Sequence, residues 1–335
     1  MAQFTIYKSS DSGAPTFYGT TGSVVALLDA CLVNGYGTKP GAGWSKPFAN
    51  TSSFTSSFAQ AVGGWRQPTG SQLYLFVNDG GPNGTALYKE AWATGWEILV
   101  SPSASVANTC GSGSGQFPVP PQLLTTGHVV IRKSTTSDSS SLRQWVVAAD
   151  SSSFYMFIAT GDTANMYYGF GFGDIYSYVG VGNADPYKCA IIGRNAENTA
   201  AAGNDGFDTF NVLNTATIGS FLPRAFTGLG ASITTGKHGD GIKGSATTWL
   251  GNIPFPNAID SALYVSPVWM TEASSSYIRG QLRGIYQVLH PIANFTDGQT
   301  FAGALDFTGK TFQVFKTTPN NGIYAIETSN TLLTN

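Results

Sequence analysis

Charge is scarce in this sequence. Lys and Arg number 17 and Asp and Glu 19, together 11% of 335 residues, against about 25% in ordinary soluble domains. The net charge is −2, and the densest basic pair is Arg132-Lys133. A nucleic-acid groove needs clustered Lys and Arg, so no nucleic-acid partner is expected. Cysteine is nearly absent. Cys31, Cys110 and Cys189 lie far apart, form no CxxC, and cannot all pair within one chain because their number is odd. Cys31 and Cys189 read as small buried hydrophobes in a reducing compartment. Cys110, in NTCGSGSG, reads as exposed or open to an intersubunit disulfide. The histidines, His128, His238 and His290, are isolated; without HxH or HExxH spacing no metal site is expected. No run approaches about 18 uninterrupted apolar residues. The start, MAQFTIYKSSDSGAP, lacks a basic region followed by an apolar stretch. No membrane partner is expected, and synthesis in a cytoplasm is.

What is abundant is apolar and small. Hydrophobic residues make 42% and aromatics 13%, with 41 glycines. A surface of Ser, Thr and Asn repels itself little and suits permanent packing against other subunits. The patterning is β. Strands are expected over 3–8, 72–79, 86–101 (one or two), 128–134, 144–150, 154–160, 187–193 and 261–270. Segments 128–134 and 144–150 flank a Ser-rich loop and read as a hairpin, which 154–160 extends as a meander. The clearest hairpin is 311–328, two β runs around Asn-Gly. Segment 275–291 shows partial helical spacing (Ile278, Leu282, Ile285, Leu289), weakened by Gly280 and Gly284. The fold class expected is mainly β, with antiparallel sheets in a sandwich or barrel-like arrangement and one or two short helices. Soft boundaries give an N-terminal helix-containing segment (1–65), a β core (66–200) and a C-terminal β region (201–335), which also suit a single body. A loop-rich arm is expected at 194–258, long enough to serve as an insertion or interaction arm.

One helix is distinct. Val24, Leu27, Leu28, Cys31 and Leu32 fall on one face. Ser23 reads as its N-cap and Asn34-Gly35 as its stop. Asp29 and Cys31 are two apart, where helix geometry keeps side chains separate, so they make no nucleophile–base pair. An aromatic-pinned segment follows. Within it Trp44 and Phe48, with Trp65 and Arg66, are candidate subunit-interface residues, because Trp and Arg are favoured at contacts.

Catalytic chemistry finds little support. GALDFTGKT (303–311) has one residue too many between its glycines for a P-loop, and a β run follows Lys310 where a helix is required. Asp205, Asp208 and Asp240 sit in loops that offer too few oxygens for calcium. Asp79, Glu90, Glu97, Asp150 and Asp174 lie at strand ends or edges, which leaves a glycan hydrolase open without supporting it. No enzyme, catalytic residue or cofactor is expected.

A resemblance adds to this. The run Tyr7-Lys8-Ser9, Asp11, Gly13-Ala14-Pro15, Gly19, Gly22-Ser23, Leu27 through Gly37, and Ala42-Gly43-Trp44 with Lys46-Pro47-Phe48 resembles a family of tailed-bacteriophage virion structural proteins. Arg132-Lys133-Ser134, Trp145 with Ala149-Asp150, Arg279 to Tyr286, and Gly309 to Phe312 fit the same family. The resemblance covers most of the chain, is strongest over 5–48 and weakest over 195–258. It implies a virion subunit of the neck, collar or tail, made in the bacterial host cytoplasm, whose partners are copies of itself and other virion proteins. The alternatives are a receptor- or glycan-binding tail fibre or spike module, with a host surface glycan as partner, and a capsid decoration protein.

Overall fold

The computed structural model describes residues 4–48, 61–79, 89–102, 111–120, 127–135, 139–161, 167–180, 185–194, 219–230, 235–239, 254–272, 277–291, 294–304, 307–317 and 322–328. They form the expected mainly β fold: two antiparallel sheets and one short helical element.

The larger sheet takes strands from both ends of the chain. Its first half runs β1 (Thr5–Lys8), β8 (Trp145–Ala149), β9 (Ser153–Ala159), β10 (Tyr167–Ser177), β11 (Cys189–Gly193) and β12 (Gly219–Phe221). It continues through β13 (Thr235–Gly239), β14 (Val265–Glu272), β15 (Tyr277–Val288), β18 (Gly322–Glu327), β17 (Thr311–Thr317) and β16 (Thr300–Ala302). The sheet therefore draws on all three expected segments. It also curls until β15 meets β10 again, through Ile175↔Leu282, Tyr176↔Gln281 and Ser177↔Gly280. The six strands β10 to β15 make a closed circuit of pairing. At the closure a Cβ on Gly280 would sit on the Tyr176 carbonyl oxygen, so the approach of the two backbones requires glycine there.

The smaller sheet runs β2 (Ser45–Phe48), β3 (Ala61–Arg66), β4 (Tyr74–Asp79), β5 (Glu90–Ser101) and β6 (Ser112–Phe117), with β7 (Val129–Arg132) also on β5. Its inner face and that of the larger sheet enclose the main core.

Alternation along each strand sorts residues between two cores. Val147, Ala149, Phe154, Met156, Ile158, Cys189 and Ile191 point into the core between the sheets. Val146, Ala148, Tyr155, Phe157, Ala190 and Ile192 point into the interior of the curled sheet, beside Val268, Met270 and Leu282. Strands buried on both faces read as continuous apolar runs, as 144–150, 154–160 and 187–193 do.

The helical element is α1 (Ser23–Leu28), continued by a π-helical stretch, Asp29–Asn34, that ends at Gly35. Val24, Leu27, Leu28, Cys31 and Leu32 all enter the main core. The cap differs from expectation. Gly22 occupies the N-cap position, and Ser23 makes no side-chain cap bond. The Asp79 carboxylate, at the end of β4, instead accepts the Val24 N–H at 2.7 Å, satisfying one of the orphan donors of the first turn.

Two further expectations are corrected. Segments 128–134 and 144–150 do not form a hairpin: β7 pairs with β5, and β8 with β1 and β9. Both are apolar strands, and a polar loop between two such strands does not say which sheet each joins. Segment 275–291 holds β15, a strand; its period-four apolar spacing is overridden by pairing on both edges, with β14 and with β10 and β18. The 311–328 hairpin is present as β17 and β18. Within the expected arm at 194–258, β12 and β13 are strands, while 195–218, 231–234 and 240–253 lie outside the described residues. Cys110, Asp205, Asp208 and Asp240 also lie outside them, and of His238 only the backbone is described.

Candidate functional site

The residues singled out for chemistry are engaged in holding the fold. Asp79 takes the Lys133 ammonium at 2.5 Å, with both side chains fully buried, while capping α1. Glu90 pairs with Arg132 at 3.0 Å, equally buried. Asp150 accepts from the amides of Ser152 and Ser153 at 2.7 and 2.8 Å and meets Arg283 at 3.1 Å. Lys310, at the rejected P-loop, pairs with Glu327 at 3.1 Å. His128 stacks on Trp92, ring centroids 3.9 Å apart. His290 accepts the Tyr264 amide on Nε2 at 2.7 Å.

Asp174 is a buried carboxylate that ties the two sheets together. It sits buried at the end of β10 and clasps the β3–β4 loop of the other sheet, accepting from the Ser71 amide at 3.0 Å and from Gln67 Nε2 at 3.1 Å. Gly70 passes so close, at φ +72°, that a Cβ there would collide with its carboxylate. Burial raises the Asp174 carboxyl above its ordinary range, against the hydrogen bonds of Ser71 and Gln67 and the charge of Lys188. Burial likewise pushes the Cys31 and Cys189 thiols up, which makes them poor nucleophiles.

The proposed interface aromatics have mixed positions. Trp65 is fully buried and donates to Asp29 Oδ1 at 3.0 Å; Lys46 lies over its ring and pairs with Asp29 at 2.6 Å. Trp44 is 3% exposed, donates to the Asp150 carbonyl at 2.7 Å and packs edge-on to Phe154. Phe48 is half-buried against Tyr74, and Arg66 is part-exposed over the same Tyr74 ring. These side chains do not gather into one exposed face.

Other apolar side chains are exposed near the closure. At the end of the closed circuit where β10 finishes and β15 begins, Tyr176, Tyr178, Tyr277 and Ile278 are exposed, and Phe226 and Leu229 join them from the turn after β12. Tyr176 and Tyr178 meet edge-on at 6.1 Å, and Phe226 meets Tyr277 at 5.7 Å. The Tyr178 amide donates to the Arg279 carbonyl at 2.9 Å, and its hydroxyl to Gln281 Oε1 at 3.3 Å.

A buried charge network lies beside these residues. Arg279 grips Asp185 through Nε and Nη2, at 2.9 and 2.8 Å, and reaches Glu272 through Nη1 at 3.0 Å. Glu272 also accepts the Phe226 amide at 3.0 Å, and Asp185 accepts from Ser177 Oγ at 2.6 Å and the Tyr187 amide at 3.0 Å. Such a network adds little net stability over an apolar filling, but it is geometrically exacting. It fixes the backbones that carry Phe226, Tyr178 and Tyr277. Arg224 adds a forked pair to Glu97 of β5, at 2.6 and 2.7 Å, stacked over Tyr187.

Sequence reading missed these exposed residues because β15 carried a helical spacing. The available signal was the alternation of glycine with aromatic and β-branched residues, which favours strands. Among the described residues no His, Cys, Asp and Glu cluster is placed to hold a metal, and no helix is long and apolar enough to cross a membrane. No protein-family model matches the chain, and no curated protein matches it.

Proposed function

We propose that this chain is a structural subunit of a tailed-bacteriophage virion, made in the host cytoplasm, that assembles with itself and with other virion proteins in the neck, collar or tail and performs no catalysis. The observation that supports this most is the set of half-exposed aromatics, Tyr176, Tyr178, Phe226 and Tyr277, on a pinned antiparallel frame. A rigid frame loses little conformational freedom on association, and half-exposed aromatics supply apolar area to bury. The small charge complement points the same way, since pairs such as Lys133–Asp79, Arg132–Glu90 and Lys310–Glu327 are turned inward.

Mass spectrometry and immunogold labelling of purified particles test the proposal. It expects the chain in fixed stoichiometry at one site on the particle; a chain left behind in the lysate contradicts it. A second reading, a glycan-binding tail module, draws on the exposed rings of Tyr176, Tyr178 and Tyr277, which offer sugar-stacking surfaces. A glycan array on host surface polysaccharide separates the two.

A further inference from the structure

We propose that His290 is an acid-sensitive latch: its neutral ring fastens segment 254–264 over a second apolar face of the larger sheet, and protonation of that ring releases the segment.

The face to be covered follows from strand alternation. Tyr324 and Ile326 of β18 point into the interior of the curled sheet, so Ala325 between them points the other way. With Tyr286, Val288, Phe312 and Val314 it forms a buried core outside the curl, against which Phe255 and Leu263 of the segment pack. The Phe255 ring lies 4.8 Å from Phe295 and 5.3 Å from Phe301, and meets His290 edge-on at 5.3 Å.

The fastening replaces a backbone acceptor with a side chain. β14 pairs with β15 from Val265 opposite Val288, and the Leu289 amide extends the pairing by donating to the Tyr264 carbonyl at 3.0 Å. The return bond, from the Tyr264 amide, goes to His290 Nε2 at 2.7 Å. Only a ring nitrogen without a proton accepts, so this bond needs the neutral ring with its proton on Nδ1. A second proton turns Nε2 into a donor aimed at a donor. It also places a charge on a side chain that is 2% exposed among aromatic rings.

The neighbours set where the charged ring goes. Phe255 and Phe295 face it without charge. Tyr264 lies beside it at 5.9 Å, and its hydroxyl donates to Asp260 at 2.7 Å. Asp260 is near enough for charge on His290 to act on its carboxyl. Lys310 and Glu327, beside Phe307 in the same core, pair with each other. The carboxylate that favours a charged His290 thus sits on the exposed side of the segment, away from the buried seat of the ring.

Hydrogen–deuterium exchange of the full chain tests this, read by mass spectrometry as protection of 254–264 relative to intrinsic exchange. The series runs from about pH 8 to about pH 5, where histidine changes charge. In the wild type, protection of 254–264 is expected to fall at least about tenfold as pH drops, the scale of one buried hydrogen bond lost, while β9 keeps its protection. His290→Gln retains an acceptor of similar reach that takes no proton, and its protection is expected to stay constant with pH. Asp260→Asn is expected to need more acid than the wild type for the same loss. The proposal is overturned by wild-type protection that does not change with pH, by a loss that β9 shares equally, or by a loss that persists in His290→Gln. If His290→Gln does not fold, Asp260→Asn decides: a loss at the same pH as in the wild type overturns the proposal.

Discussion

The aromatics near Trp44 and Trp65 and those near Tyr178 and Tyr277 belong to the same residue class and meet opposite fates. Trp44 and Trp65 turn inward and spend their indole N–H groups on Asp150 and Asp29. Tyr178 and Tyr277 turn outward, 49% and 55% exposed. Composition cannot separate them; strand register and the end of a pairing circuit do. The inward pair holds the sheets to the π-helical stretch, and the outward set is free to hold something else.

The largest expected effect tests that division. Trp65→Ala should cost about 3–5 kcal/mol, the range for a buried Trp truncated to Ala, while Tyr178→Ala should stay within about 0.5 kcal/mol of wild type, as exposed substitutions do. Urea denaturation of the two variants, at a concentration where the protein is monomeric, checks this. Equal losses would break the comparison.

Asp79→Ala comes next. It leaves the buried Lys133 ammonium without a counter-charge, held only by the Thr20 carbonyl at 2.9 Å, for about 3–5 kcal/mol, and uncaps α1. Chemical denaturation should show the loss. A change near zero would mean that the Thr20 carbonyl suffices for Lys133 and that the buried pair is dispensable.

The effect of Asp174→Asn is smaller and depends on pH. A carboxyl whose folded pKa lies above its unfolded value binds more protons folded than unfolded between the two. Stability then falls as pH rises through that window, which starts at the ordinary 3.8 and extends upward. The Asn variant keeps an acceptor for Ser71 and Gln67 but does not titrate. Thermal melts from acid to neutral pH should show wild type losing more stability than Asp174→Asn as pH rises; parallel curves would contradict the burial effect.

The smallest effect is kinetic. Cys31 and Cys189 are fully buried, so a thiol reagent should modify neither in the folded chain and both in denaturant. Rapid labelling of Cys31 without denaturant would show that the helix opens from the core.

How much of this the sequence disclosed depended on how local each feature is. The run 144–160 read as strands because alternate residues feed two cores, and the 311–328 hairpin followed from Asn-Gly. The helix face was legible from 3.6-residue spacing, but its cap was not, because Asp79 lies 55 residues from Val24. The same limit hid the closure of β10 on β15. Gly280 is needed there for a backbone approach that local periodicity does not encode, and Ile278, Leu282 and Ile285 mimicked a helix. The site followed the closure: without β15 as a strand, Tyr178 has no reason to meet Arg279 and Gln281.

A reconstruction of the particle to which the proposed function assigns this chain, a tailed phage, tests the central claim most directly. The account predicts density for this two-sheet fold in fixed copy number, with the exposed rings of Tyr176, Tyr178 and Tyr277 at a contact and Trp44 and Trp65 inside the subunit. Particles without such density, or with that end of the curled sheet open to solvent and Trp44 and Trp65 at the contact, would contradict it.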